Sequence, residues 1–182
     1  MVYILLGEGF EECEALVPAD LLRRAGATVS LVGLEGLEVT GGHGITVKAD
    51  MTLDQVDEDD MEMLVLPGGG GGVESIQLNL FALALIQQAY DRGCWIGAIC
   101  AAPTLLARAG FLDRRRAVCY PGLEDEMGSA VVAKGESVVT DGRIITAVAA
   151  GASFAFGLKL AEVVKGRGAA QRVRESIHLG HG

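Results

Sequence analysis

One stretch constrains the fold of this chain more than any other: Gly93-Cys-Trp-Ile-Gly-Ala-Ile-Cys100-Ala-Ala-Pro-Thr-Leu-Leu-Ala-Arg-Ala-Gly110. Residues 94–99 form a short apolar run, the pattern of a strand buried on both faces of a parallel sheet. From Ala101 the spacing turns helical, with Leu105, Leu106 and Ala109 on one face and Gly110 placed as a C-cap. Pro103 falls in the first turn, where a missing N–H breaks no intrahelical bond. Cys100 therefore sits where a buried strand becomes a helix. Its sulfur is expected near the unpaired N–H groups of the helix start, which stabilise an anion and lower a thiol pKa. With Cys in place of Ser, this is the topology of a nucleophile elbow. Position alone fits an inert core cysteine equally well, since free Cys is among the most buried residue types.

The rest of the chain alternates in the same way. Val2 to Leu6 reads as a first buried strand, followed by a Gly7-Glu-Gly9 turn. Residues 11–24 read as a helix closed by Gly26, with Pro18 predicting a kink or a late start. Strands are expected over 28–32 and 63–66, a hairpin over 39–47 broken by Gly41-Gly-His-Gly44, and a helix over 81–90. A short strand is expected over 117–120, and Ser137-Val-Val-Thr-Asp-Gly-Arg-Ile-Ile-Thr reads as a hairpin turning at Asp141-Gly142. Helices over 154–164 and 169–177 close the chain. Apolar strands alternating with helices mean an α/β, doubly wound, mostly parallel sheet with added β-hairpins. Sites in such sheets lie beyond the carboxyl ends of the strands. Residues 7–14, 67–72 and Cys100 all follow strands, so they should meet at that edge, which favours a functional Cys100.

Composition narrows the possibilities. At 182 residues the chain is expected to be a single domain spanning 1–182. A net charge of −9 argues against nucleic acid or an anionic membrane as partner. Cys13, Cys94, Cys100 and Cys119 show neither a CxxC pair nor zinc-finger spacing, so no metal site and no disulfide framework is expected. The first residues enter a strand directly, without a basic region or cleavage site, and no apolar run approaches the ~20 residues of a membrane span. These features point to a cytoplasmic protein.

The glycine runs do not read as phosphate loops. Pro67 with its five glycines is followed by no Lys-Ser/Thr, and Gly7-Glu-Gly9 meets Glu12 where a third glycine would stand. The alternatives are a surface of backbone N–H groups aimed at an oxyanion, or turns needing positive φ. Glu8, Glu11, Glu12 and Glu14 crowd the first loop; most should be solvated, but one pointing at a thiolate would be protonated. Composition leaves open which. His43 reads as a turn residue, and His178 and His181 as part of a frayed end.

Several motifs together are similar to the ThiJ/PfpI superfamily, in particular its branch of the parkinsonism-associated deglycase and bacterial ThiJ-type proteins. They are Glu11-Glu-Cys-Glu14, Pro18-Ala-Asp20, Arg23-Arg-Ala-Gly26, Leu64-Val-Leu-Pro-Gly-Gly69, Ala98-Ile-Cys-Ala-Ala-Pro103 and Gly151-Ala-Ser-Phe154. The resemblance implies a flavodoxin-like sandwich of the class I glutamine amidotransferase-like kind, a homodimer, and no cofactor. It implies Cys100 as the reactive, oxidisable thiol and Glu14 as the protonated carboxyl bonded to it. The N–H groups of Gly69 and Ala101 would form an oxyanion pocket. Tyr120 stands where one relative has a His, and Ala101 where the proteolytic branch has a His, so peptidase activity is not expected. Gly42-His43 replaces a Ser-Arg pair and Val148-Ala-Ala-Gly151 an Arg-Gly-Pro-Gly, which removes two positive charges from the pocket rim.

Two functions follow as expectations. One is a glyoxalase or deglycase acting on a small reactive carbonyl, methylglyoxal or its thiol and amine adducts. The other is a redox sensor or stress chaperone in which Cys100 stops at sulfinate. The homodimer is expected to place the first helix and the 41–44 turn at or near the interface, because Leu21, Leu22 and Ala25 make that helix apolar beyond one face.

Overall fold

Runs of five buried apolar or small residues seed the sheet, and the computed structural model, which describes residues 1–180, shows how they pair. Val2–Leu6 (β1) leads into helix α1 (Glu12–Arg24), and Val29–Gly33 (β2) returns parallel to β1 with Val2 opposite Val29. Glu38–Thr40 (β3) and Thr46–Lys48 (β4) form the separate antiparallel hairpin expected around the 41–44 turn. Met51–Thr52 (β5) adds an edge to β2, and Met63–Leu66 (β6) pairs with the other side of β1. Helices α2 (Gly70–Leu78) and α3 (Leu80–Asp91) lead to Trp95–Ile99 (β7), which lies parallel to β6. After α4 (Pro103–Arg108), Arg116–Ala117 (β8) and Val131–Val132 (β9) make a small parallel pair. Val138–Asp141 (β10) and Ile144–Ala147 (β11) form the second hairpin, before α5 (Ser153–Lys165) and α6 (Arg167–Ser176).

The seven-stranded sheet has the order β10-β11-β7-β6-β1-β2-β5, and only β10 runs antiparallel. Apolar side chains alternate to its two faces. Leu5, Leu64, Leu66 and Ile96 pack under α2, α3 and α4, while Ile4, Leu6, Val65 and Ile99 pack under α1 and α5. No helix among the described residues is long and apolar enough to cross a membrane.

The structure departs from the sequence reading in several places. Helix α1 starts at Glu12 and runs unbroken past Pro18, neither late nor interrupted. The backbone of Pro18 lies against α5 at Gly157, where an added Cβ would come within 3.0 Å of the Pro18 Cα. Helix α2 was not expected at all, because three leading glycines oppose helix formation by about 1 kcal/mol each. They are there for close approach: a Cβ at Gly72 would lie 2.7 Å from the Phe10 Cα. Helix α4 begins at Pro103 rather than Ala101 and is six residues long. The second hairpin turns one residue later than Asp141-Gly142. Asp141 pairs with Ile144, Gly142 has φ 59°, and the Asp141 carboxylate accepts from the Arg116 N–H. The strand expected over 117–120 covers only Arg116–Ala117, because the next N–H groups are taken elsewhere. The Val118 N–H donates to the Thr146 hydroxyl and the Tyr120 N–H to the Cys100 carbonyl.

Candidate active site

The parallel strands β1, β6 and β7 end side by side, and each hands the chain to a tight turn at the same edge. After β7 the backbone reverses so sharply that Cys100 adopts φ 67°, a conformation that costs a non-glycine residue energy and clusters at active sites. The Cys100 N–H donates to the Ala147 carbonyl at 2.9 Å, and its carbonyl accepts from the Tyr120 N–H at 2.7 Å. Both bonds hold the strained residue in place. This is the nucleophile elbow expected from the sequence.

Opposite it, β1 delivers the start of α1. Glu11 caps the helix, accepting from the Glu14 N–H at 2.7 Å, while its own N–H donates to the Gly68 carbonyl at 3.0 Å. That capping turns Glu14 inward. It is 1% exposed, accepts the Gly68 N–H at 2.9 Å, and its carboxyl lies beside the Cys100 side chain across Gly68. The turn after β6 completes the site, and only glycine fits there. A Cβ on Gly68 would sit 2.6 Å from the Cys100 Cβ, and Gly69 has φ 86° against the Phe10–Glu11 backbone. The N–H groups of Gly69 and Ala101 point at the sulfur.

Burial pushes the Glu14 carboxyl up to about 7, opposed by the neighbouring Cys100 thiol and helped by the nearby charge of Glu11. Burial also pushes the Cys100 thiol up, to about 12, and the Glu14 charge adds to this, outweighing the pull of the Gly69 and Ala101 N–H groups. The lowered thiol pKa expected from a helix start is therefore not what the geometry delivers. The donors come from two turns, not from α4, and burial exceeds their effect. The pair behaves as one acid. It loses a first proton around neutrality and resists losing the second, which would set two like charges side by side. In between, one proton is held between carboxyl and sulfur, and the tautomer with the proton on Glu14 carries a thiolate facing two N–H donors.

Of the residues singled out in the sequence, Cys100, Glu14, Gly69 and Ala101 meet here. Tyr120 joins through its backbone, and its side chain is half exposed. His43 stands further off. Its ring, 71% exposed, pairs through Nδ1 with Glu12 Oε2 at 2.7 Å, and its N–H donates to Glu12 Oε1 at 2.8 Å. The ion pair raises the His43 pKa. Burial alone would raise Glu12, but the His43 ring and nearby N–H groups hold it below the ordinary value. Glu12 is thus a second buried glutamate, where the sequence pointed to one. Sequence spacing showed no metal cluster, yet the fold brings ligand atoms of Glu11, Glu12 and His43 within 4.8 Å of one another. Those atoms are already engaged by the helix cap and the ion pair. Nor does the Gly7-Glu-Gly9 turn offer a free N–H surface, since the Gly9 N–H donates to Thr40 and the Phe10 N–H to Gly7. Gly68 and Glu11 were missed by the sequence reading; Glu is an unusual N-cap, and no local signal marks one glycine in a run of five. His181 lies outside the described residues.

The chain as a whole is similar to several known proteins. Protein dj-1beta of Drosophila melanogaster is 34% identical over 176 residues, covering 96% of this chain and 94% of that protein. Its crystal structure superposes with a TM-score of 0.92 at 33% identity, covering 99% of this chain and 98% of the other. Deglycase PfpI of Pyrococcus furiosus is 32% identical over 165 residues, covering 90% of this chain and 99% of its own length. Toxoplasma gondii DJ-1, solved in an oxidized form, superposes with a TM-score of 0.92 at 30% identity over 99% of this chain and 98% of that one. With residues 1–163 also matching the family as a whole, the chain belongs to the DJ-1/PfpI family.

Proposed function

We propose that the protein is a cofactor-independent enzyme of the deglycase or glyoxalase type, using Cys100 and Glu14 on methylglyoxal or its thiol and amine adducts. The observation that carries this reading is the strained Cys100 held against a buried glutamate that titrates near neutrality. Two relatives already described bear on it, one named a deglycase and one a DJ-1 protein. In the reaction, the sulfur forms a bond to the aldehyde carbon and the carbonyl oxygen takes up a proton, giving a hemithioacetal. The Glu14 carboxylate removes the proton from that carbon and returns it to the neighbouring ketone carbon, while the hydroxyl proton passes to the ketone oxygen, leaving a lactoyl thioester. Water cleaves the thioester, releasing lactate and the thiol, so methylglyoxal plus water becomes lactic acid. The Gly69 and Ala101 N–H groups stabilise negative charge as it develops on sulfur or oxygen. Ala101 supplies no side-chain base directly after the nucleophile, which speaks against peptide hydrolysis.

The test is direct. Purified protein with methylglyoxal should yield lactate in proportion to methylglyoxal consumed, and protein first alkylated at Cys100 should yield none. Consumption without lactate would leave only stoichiometric trapping by surface lysines and arginines.

A redox role is the second reading, favoured by the Glu14 carboxyl beside the sulfur. Each of two peroxide molecules would transfer one oxygen to sulfur and leave as water, and the Glu14 O–H would donate to a sulfinate oxygen. Mild peroxide should then add two oxygens to Cys100 in the wild type and in Glu14→Gln, with a shifted product distribution in Glu14→Leu. Identical intact-mass profiles for all three would show that Glu14 does not control oxidation.

We also infer a homodimer, but on different grounds from the helix composition. Leu21 and Leu22 are fully buried within one chain, Leu21 against α5 and α6, so they do not call for a partner. Support comes instead from the β3–β4 hairpin, which exposes Ile45 beside the 41–44 turn and Leu37 at its other end. Sedimentation at micromolar concentration should give twice the 19.0 kDa chain mass. A monomer would refute the dimer and leave His43 as a turn residue.

A further inference from the structure

The corner where α2 meets α3 lies apart from the elbow, and its surface is unlike the rest of the molecule. Leu78, Leu80 and Phe81 are consecutive but for Asn79 and are 76%, 79% and 81% exposed. Local structure explains how they come to project. Asn79 ends α2 and caps α3, accepting the N–H groups of Phe81 and Ala82 at 3.0 Å each, so the chain turns outward at this point. Nothing in that capping requires large apolar residues on either side of the asparagine. Three of them together are a patch of the kind that marks a contact surface.

Two grooves flank the corner and share Asn79. The first, of about 390 Å³, has a floor of Leu53, Val56 and Leu85 beside Phe81, with Asp54 and Glu58 on its rim. In the same groove the side-chain amide oxygen of Gln88 is buried and accepts no hydrogen bond. The second groove gathers Glu8, Glu35 and Glu74 around Leu78. Among the described residues, no Lys, Arg or His lines either groove. The face is therefore apolar at its centre, ringed by five carboxylates, and has one buried acceptor in want of a donor.

We propose that this corner docks a basic amphipathic helix of a partner polypeptide. Its apolar side chains would seat against Phe81, Leu80 and the Leu53–Leu85 floor. Its Lys and Arg residues would face Asp54 and Glu58 on one side and the three glutamates on the other, one of them reaching Gln88 Oε1. Charge decides among occupants. A second copy placed symmetrically would set carboxylates against carboxylates, and the net charge of −9 opposes association with acidic surfaces generally. Backbone decides the conformation. The corner is made of two helices, and the sheet edge nearest the first groove, β5, is only two residues long, so an incoming segment must satisfy most of its own backbone, as a helix does.

The experiment uses the full chain and a fluorescein-labelled 18-residue helix of Leu and Lys, with a scrambled peptide of equal composition that has no apolar face. Anisotropy is read at about 0.15 M salt, where loose surface attraction is screened. The amphipathic peptide should bind at least tenfold more tightly than the scramble. Phe81→Ser and Leu80→Ser, both at exposed positions, should each weaken it at least fivefold, and Glu58→Gln should lower its salt dependence. Circular dichroism and Cys100 turnover should match the wild type in all three. Equal binding of the two peptides, or binding indifferent to Phe81→Ser, would reduce the effect to net charge and overturn the proposal. Self-association abolished by Phe81→Ser would overturn it too, by giving the face to a second copy.

Discussion

Cys100→Ser is expected to lower lactate formation from methylglyoxal by at least about a thousandfold, with Tm moved by no more than about 2 °C. The two side chains differ by one atom, and the features that hold the elbow belong to the backbone. These are φ 67°, the bond to Ala147 and the bond from Tyr120. The variant should therefore fold unchanged. What is lost is chemical. A thiol shares its proton with a carboxylate of pKa about 7, but a hydroxyl is far too weak an acid for that base to deprotonate. Cys94, whose thiol donates to the Met61 carbonyl at 3.1 Å, and Cys119, buried in the core on the α4 side of the sheet, should each tolerate Ser with turnover retained. A Cys100→Ser protein with a tenth of the wild-type rate would remove the sulfur from the mechanism.

Glu14→Gln carries the second large effect and two independent signatures. At pH 7.5, turnover should fall by about a hundredfold or more. Wild-type rate should climb as pH rises through about 7, when the pair loses its first proton and the thiolate tautomer becomes available. Gln can neither take that proton nor return it to substrate. The thiol must then ionise alone in a buried place, so the rising limb should move to alkaline pH. Stability should respond in the opposite sense. The carboxyl's folded pKa lies above its ordinary value of 4.5, so the folded state holds this proton more tightly. That contribution is fully present below pH 4.5 and is lost as pH rises through 7, on the order of 3 kcal/mol. Wild-type stability measured by urea unfolding should therefore decline between pH 5 and 8 relative to Glu14→Gln. Parallel stability curves would mean Glu14 is ionised throughout, and the proton-sharing pair would have to be abandoned.

Much of this architecture was written locally in the chain. Short runs of apolar and small residues dictated β1, β2 and β7 because a strand buried on both faces has no exposed side to alternate with. The change of period at Cys100 marked the elbow, since a strand buried on both faces gives way there to helical spacing within a few residues. Both hairpins were legible from their glycine turns, though the second was placed one residue early because Asp141 spends its side chain on Arg116 rather than on the turn.

What local pattern left undecided are matters of distance between segments remote in sequence. Helix α2 contradicts its own propensity, and only the approach of the Phe10 backbone explains why glycines start it. Four glutamates in seven residues look alike until the fold buries two of them, one against His43 and one against sulfur. Leu21 and Leu22 look like interface residues until α5 and α6 cover them. The acidity of Cys100 departs from its local pattern for the same reason. A sequence shows which donors stand near a thiol along the chain, but desolvation and the charge of a carboxylate 86 positions earlier exist only once the chain has closed on itself. Periodicity determined the sheet and the elbow; the tertiary structure alone decided where the shared proton sits, because burial and charge act through space.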